Sequence, residues 1–530
     1  MIQPIEPLHF DVIVIGGSLS GSSTALQILR RNPACRIAIL EKSTDFGRRV
    51  GESTVEVSAY FLGKHLNLSD HLNRKHLIKQ GLRFHFGNEA SQRLADCGEV
   101  APHYNVRMPS YQVDRTVLDA ELLERCTAAG ATLFRPCTVR DIKLHEGGEQ
   151  VVHCKRPDGD PITLCARWIV DASGRSTVIG RKLGLIRPNH EHPISSIWAR
   201  FTGIPNWEEL GRRPGNIQWG ARVHALRDTG TNHLMGDGYW IWLIPLSSGE
   251  TSVGVVYDER LVSFPTRNSL ADRLLDLIRK HPAGTELMAD AKMCEGDLHF
   301  QRKISYYSEK YAGDGWVSVG DAGAFLDPFY SPGMDWISFS SNAAARLVLA
   351  GIKGSFIDQR IERHNQNFSA SYNRWFRAIY KDKYYYLGDL EIMDIAFRTD
   401  LGMYYLGVVS PLMKARSKNW NRPPFSHERA KRAVWFLARR NARFVKIAKR
   451  RRATGRFGRL NHRTYRPFDS YGFNWMLKVR LAYLVLRNCY LEAKEICLRT
   501  QYRLAHGSSP AFPSASKEDG YELQKPSENR

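Results

Sequence analysis

The stretch DVIVIGGSLSGSSTALQILRRNPACRIAILEK, Asp11 to Lys42, decides the fold. Val12–Ile15 is a short apolar run, and a glycine-rich turn follows it. A helical pattern comes next, and a second apolar run ends at Glu41. Strand, turn, helix and strand in this order make a βαβ unit of the kind that holds a dinucleotide. Gly16 permits the tight turn, and Gly21 lets helix and strand approach closely. The helix N-terminus then offers unpaired N–H groups to a pyrophosphate. Glu41, 20 residues after Gly21, stands where a carboxylate accepts from ribose hydroxyls. Gly17, Ser20 and Lys42 complete the candidate set at this end of the ligand. The middle glycine of the usual G-x-G-x-x-G pattern is replaced by Ser18, whose Cβ crowds the pyrophosphate.

Outward from this unit, residues 110–185 keep α/β character, and residues 195–260 read as strands. Residues 316–350 repeat the strand–turn–helix order of the N-terminus. The fold class expected is α/β with an inserted α+β substrate sheet. A dinucleotide-binding Rossmann-like βαβ domain (8–190 and 290–350) carries a mixed β-sheet substrate domain (50–105 and 191–290). A helical basic region (351–505) and a disordered polar tail (506–530) follow.

The chain has 530 residues, with 43% hydrophobic and 25% charged residues, which is the balance of a folded globular protein. No apolar run reaches the 18 residues of a membrane span. The nine cysteines are scattered without a CxxC pair, so we expect neither metal ligands nor disulfides. With no secretory pattern at the N-terminus, a cytoplasmic location is expected. The net charge of +22 is concentrated: residues 411–505 hold 25 Lys and Arg against 4 Asp and Glu.

Two further segments extend the ligand from a nucleotide to a flavin. WIVDASGRS (Trp168–Ser176) and GWVSVGDAGAFLDPFYSPGMDWISFSSNAA (Gly315–Ala344) resemble the second and third FAD motifs of p-hydroxybenzoate-hydroxylase-type flavoproteins. That resemblance implies FAD as cofactor. It places Asp171, Asp321, Gly333 and Met334 at the flavin, with Asp321 on the ribityl chain. YQVDR resembles the arginine-containing segment of the same family and puts Arg115 nearby.

Within that class, GYWIWLIP resembles the WxWxIP signature of flavin-dependent halogenases, matched in full by Trp240 to Pro245. Alone, paired tryptophans at i and i+2 share one strand face and serve equally well as core. Two more segments resemble the family: IKQGLRFHFGN, with Lys79, Gly81 and Phe84 in K-x-G-x-x-F, and VGEST, with Glu52 and Ser53 near the flavin. The resemblance implies that reduced FAD, O2 and chloride or bromide give hypohalous acid, which travels to Lys79. Trp240 and Trp242 would then wall the flavin from the substrate. A partly desolvated lysine suits this task because burial tunes its pKa.

The halide site implied by the family lies in the turn Tyr330-Ser331-Pro332-Gly333. Proline has no N–H, so Ser331 and Gly333 remain as donors in a weakened site. Where tryptophan halogenases carry a glutamate, this chain has Tyr330, which argues against free tryptophan as substrate. Asp327 and Asp335 stand close by in sequence as candidate bases. The expected activity is halogenation of an electron-rich, phenol-like aromatic, free or carrier-tethered, in secondary metabolism, with reduced FAD supplied by a separate flavin reductase. The alternative is an FAD-dependent monooxygenase or dehydrogenase on the same scaffold. The basic region 411–505 reads as a packed helical subdomain, a dock for an acidic carrier protein, or a peripheral contact with the inner face of an anionic membrane. No nucleic-acid-binding motif is present.

Overall fold

In the computed structural model, residues 6–264, 268–354, 357–414, 418–469, 471 and 476–506 are described below. The predicted tail therefore lies outside the described residues, apart from His506.

Strand Leu8–Ile15 sits in the middle of the first sheet, between Pro161–Asp171 on one side and Ile37–Leu40 on the other, parallel to both. Trp316–Ser318 and Thr132–Phe134 extend the parallel array at its two ends. Val12, Ile13 and Val14 are fully buried, because a parallel sheet is covered on both faces. Helix Leu19–Arg31 connects the first two strands. At its start the packing leaves no room for side chains. A Cβ on Gly21 would stand 1.9 Å from the Gly16 carbonyl oxygen, and one on Gly16 (φ +100°) would stand 2.5 Å from that of Ala172. Both glycines thus hold the turn tight enough to bring the third crossover, Ala172 onward, against it.

The second sheet runs in the order Lys292–Gln301, Ile194–Thr202, Thr251–Asp258, Tyr239–Pro245, Thr231–Met235, Leu82–Phe86, Gly98–Pro102, Tyr465–Phe468. Two boundaries differ from expectation. The edge strand Lys292–Gln301 belongs to this sheet, so its segment ends near 301 rather than 290. The basic region is also not purely helical. Its strand Tyr465–Phe468 pairs in parallel with Gly98–Pro102 and caps the opposite edge.

Alternation along Tyr239–Pro245 serves two cores. Ile241 and Leu243 pack with Val253, Val255 and the helices Leu270–Arg279 and Pro282–Leu287. Trp240 and Trp242 face the other way, toward the helices of the C-terminal half. Their ring centroids lie 5.8 Å apart. Opposite Trp242 in the ladder is Gly254, where a Cβ would fall 2.2 Å from the indole. The second indole fits only because its neighbour has no side chain.

The C-terminal helices Ile357–Trp375, Leu390–Tyr404, Ala430–Ala453 and Met476–His506 cover that face. Much of their basic excess is neutralised internally. Arg451 pairs with Asp389, Glu391 and Glu495 at 2.7–2.8 Å; Arg487 pairs with Asp394 at 3.0 Å, and Lys494 with Glu391 at 2.9 Å. Among the described residues no helix is long and apolar enough to cross a membrane.

Candidate active site

Two cavities meet where the sheets and the C-terminal helices converge. Gly51, Glu52, Ser53, Arg115, Asp321 and Ser331 line the first, together with Gly333, Met334 and the two indoles. Lys79, Glu56, Asp335 and Tyr330 line the second, with a ring of apolar and tyrosine side chains. Pro332 and Trp375 line both.

At the nucleotide end, Glu41 accepts from Gly17 N (2.8 Å) and Ser43 N (3.0 Å), which fixes its carboxylate beside the turn. Ser18 explains its own departure from the glycine pattern. Its Oγ donates to Asp119 Oδ2 at 2.5 Å and accepts from Arg115 at 3.2 Å. The hydroxyl is thereby drawn into the Arg115–Asp119 ion pair, away from the pyrophosphate position. Arg115 itself grips Asp119 through Nε and a terminal nitrogen at 3.0 Å each. Ser20 packs against Gly320, where a Cβ would lie 3.1 Å from its own. Lys42 is exposed on the surface.

Asp171 does not line the first cavity. Its carboxylate accepts from Ser173 N and Oγ and from Ile179 N at 2.6–3.1 Å, so it holds the turn after Pro161–Asp171 in shape. A buried carboxylate with three local donors is a structural clamp. Asp321, by contrast, does face the cavity, and burial raises its carboxyl above the usual range. Glu52 is buried against Arg200, whose Nε donates at 3.0 Å. Burial, the larger influence, still holds its pKa up at about 6.

FAD fits this chain on structural grounds. The glycine turn admits no side chain. A Cβ on Gly333, at the first turn of helix Gly333–Ile352, would meet no protein atom within 4 Å and so faces open space. The first N–H groups of that helix, at Gly333, Met334 and Asp335, precede the first intrahelical bond, Trp336 N to the Pro332 carbonyl. They are aimed where a negative flavin edge or a halide is best placed.

The expected halide turn is strained. Tyr330 and Ser331 both adopt left-handed φ, +71° and +57°. Ser331 spends its N–H on the Pro328 carbonyl (2.9 Å), and Pro332 has none. Gly333 remains the backbone donor at that turn. The Ser331 hydroxyl donates to Ser53 Oγ at 3.2 Å.

Lys79 ends strand Leu77–Lys79, and only 1% of it is exposed. Its Nζ donates to Ser53 Oγ and to the Thr54 carbonyl, both at 2.7 Å. Burial pushes the amine down to about 7, while Glu56 and Asp335 pull it back. Asp335 is itself driven up to about 7 by burial, against hydrogen bonds from Tyr404 and Ser58. Glu56, raised by burial, accepts from Tyr405 at 2.6 Å. The amine and the Asp335 carboxyl thus exchange protons near neutrality, with Glu56 raised by burial beside them.

The indoles line the first cavity, and the residues that line both are Pro332 and Trp375. Trp240 Nε1 donates to Tyr384 Oη (2.9 Å), and Tyr384 donates to Asp327 (3.3 Å). Asp327 in turn meets His192 Nε2 at 2.7 Å. Sequence reasoning missed Glu56, Tyr404, Tyr405 and Trp375, because their partners are up to about 350 residues away and no local spacing announces them.

Comparison with known proteins agrees with this geometry. Residues 11–181 match the family described as FAD dependent oxidoreductase. The flavin-dependent halogenase chlA of Dictyostelium discoideum is 30% identical over 376 residues, 64% of this chain and 60% of that protein. The 1H-pyrrole-2-carbonyl-[peptidyl-carrier protein] chlorinase of Pseudomonas fluorescens is 25% identical over 74% of this chain and 88% of that one. The crystal structure of halogenase PltM in complex with phloroglucinol and FAD superposes with a TM-score of 0.70 at 18% identity, covering 90% of this chain and 96% of that one. Residues 11–181 thus match an FAD dependent oxidoreductase family, and the fold is shared with PltM. The two sequence relatives named above are a flavin-dependent halogenase and a carrier-protein chlorinase. The match spans less than two thirds of the Dictyostelium relative's length.

Proposed function

We propose that the protein is an FAD-dependent halogenase acting on an electron-rich aromatic, phenol-like substrate in secondary metabolism. Bound in reduced form, FAD supplies the electrons by which O2 and chloride or bromide yield hypohalous acid. The observation that carries the reading is the bond from Lys79 to Ser53. The amine faces the second cavity, and the hydroxyl it holds faces the first. Lys79 as an ammonium donates to the oxidant's oxygen and makes the halogen electrophilic. Glu56 or Asp335 takes the proton that the aromatic ring, or its hydroxyl, releases. Pro332 and Trp375 keep the aromatic out of the first cavity, so that only a small oxidant passes. A separate flavin reductase supplies the reduced cofactor. Substrate presented on a carrier protein is compatible with this arrangement, as in the pyrrole-carrying relative.

The test uses chemically reduced, FAD-loaded protein with O2, bromide or chloride, and a panel of phenols. Halogenated product should form with the native chain and vanish in Lys79→Met, while flavin oxidation continues. Equal product from both proteins refutes the reading. A second reading rests on the Ser331-Pro332 turn, which leaves few donors for a halide. It predicts a monooxygenase, with hydroxylated product that forms without halide.

A further inference from the structure

A groove in the C-terminal half gathers positive charge, with no acid among the residues lining its first part. Arg346, from helix Gly333–Ile352, lines it together with Arg360 and Arg363 on helix Ile357–Trp375 and with Arg422. None of the four side chains makes an ion pair or a hydrogen bond among the described residues, although 24 of the chain's arginines pair with acids there. Arg346 Nε is buried without a partner. Arg31, held against Asn342, has its pKa lowered by burial and by Arg346 beside it. Like charges gathered this closely repel, and an anion between them relieves the cost.

Two polar side chains more than nine-tenths buried stand in the groove's wall: His364, 7% exposed, at the arginine end, and Ser426, 8% exposed, farther along. His364 Nε2 and Ser426 Oγ have no hydrogen-bond partner among the described residues. The groove continues past Asn367 and Ala370 to Arg374 and Ser426. At this end the charge is spent. Arg374 donates to the carbonyls of Phe425, Ser426 and His427 and to Glu428. Arg374 and Ser426 adjoin in sequence Trp375 and Phe425, which line the second cavity with ring centroids 6.3 Å apart. Arg363 to Trp375 is 12 residues of helix, about 18 Å at 1.5 Å per residue.

We propose that this groove binds an organic phosphate at Arg346, Arg360, Arg363 and Arg422, with its chain running along helix Ile357–Trp375 toward the second cavity. This deepens the reading above and rests on it for what the second cavity does. Guanidinium forks suit phosphate oxygens in pairs, and a neutral, amide-lined continuation suits a chain with its own amides. Two sources share this chemistry. One is the phosphopantetheine arm by which a carrier protein presents a tethered substrate, and the other is a free nucleotide.

The experiment is calorimetric titration of the FAD-loaded full chain, without turnover, so its outcome is separate from that of halogenation. The probes are 4′-phosphopantetheine, pantetheine and ADP, each at low and moderate salt. Phosphopantetheine should bind, weaken with salt, and lose about tenfold or more in affinity in Arg363→Gln/Arg422→Gln. Arg363→Lys/Arg422→Lys should recover part of the loss. Arg432→Gln/Lys446→Gln, with the same charge change on helix Ala430–Ala453, should lose little. Tighter binding of ADP than of phosphopantetheine, with the same loss in the glutamine variant, supports the phosphate site and assigns it to a nucleotide. Equal binding of pantetheine and phosphopantetheine overturns the proposal, as does no binding of either phosphate. Equal losses in the two glutamine variants would do the same.

Discussion

Lys79 Nζ lies 2.7 Å from Ser53 Oγ, and that one hydroxyl also touches Ser331 Oγ at 3.2 Å and Thr231 Oγ1 at 3.0 Å. The amine faces one cavity and Ser331 faces the other, so Ser53 is the polar link through a wall otherwise built of Pro332 and Trp375. A buried ammonium needs acceptors, and this lysine has a hydroxyl and a carbonyl within reach, with two carboxyls nearby. Its position is therefore over-determined, as the role proposed for it requires.

Ser53→Ala removes that link and leaves the fold in place. Hydrogen bonds to charged groups are worth about 1.5–3 kcal/mol, so halogenation should fall roughly ten- to a hundredfold. Flavin oxidation and FAD content should hold. Both are read in one experiment, product by mass and flavin by absorbance. A variant as fast as the native enzyme would show that Lys79 is oriented without Ser53.

The pH dependence follows from Lys79. Burial, the largest influence, brings its amine to about 7. A group with a lowered folded pKa is charged only below that value, so the ammonium disappears as pH rises through neutrality. Halogenation by the ammonium should decline on the alkaline side with a midpoint near 7, while flavin oxidation keeps its own profile. A pH–rate curve that climbs through 7 instead assigns the work to the neutral amine.

Much of this was legible before any coordinates. The Gly16–Gly21 turn and Glu41 state their purpose through spacing, because a βαβ unit is local. Trp240 and Trp242 announced a shared face, because strand periodicity is local too. The role of that face was not legible. Which wall divides the cavities depends on Trp375, which reaches the site from a helix more than a hundred residues later. The local partners of Asp171 were not legible either: its carboxylate accepts from Ser173 and Ile179 within the same turn. Asp335 could be named as an acid near the turn, yet its pairing with Tyr404 and its closeness to Lys79 are tertiary facts.

Gly254→Ala tests how tightly the indole face is packed. The added Cβ would sit 2.2 Å from the Trp242 ring and 2.5 Å from Trp198 Cβ, in the middle of a ladder with no slack. Overpacking of this kind costs about 1–3 kcal/mol. Urea unfolding should show the loss, and Trp242 fluorescence should change as the ring is displaced. Unchanged stability and fluorescence would mean that the strand shifts to accommodate the methyl group.

Gly333→Ala separates the cofactor from the fold. The new methyl group meets no protein atom within 4 Å, and the residue begins a helix, where alanine is favoured. The cofactor-free chain should therefore unfold at the same urea concentration as the native one, or slightly higher. The methyl group points into the cavity assigned to the flavin, beside the free N–H groups of the first turn. Affinity for FAD should drop about tenfold or more, equivalent to about 1.4 kcal/mol. Fluorescence titration with FAD measures this, with apo-protein unfolding as its control. Undiminished FAD affinity would move the isoalloxazine away from this helix and, with it, the oxidant from the Ser53–Lys79 link.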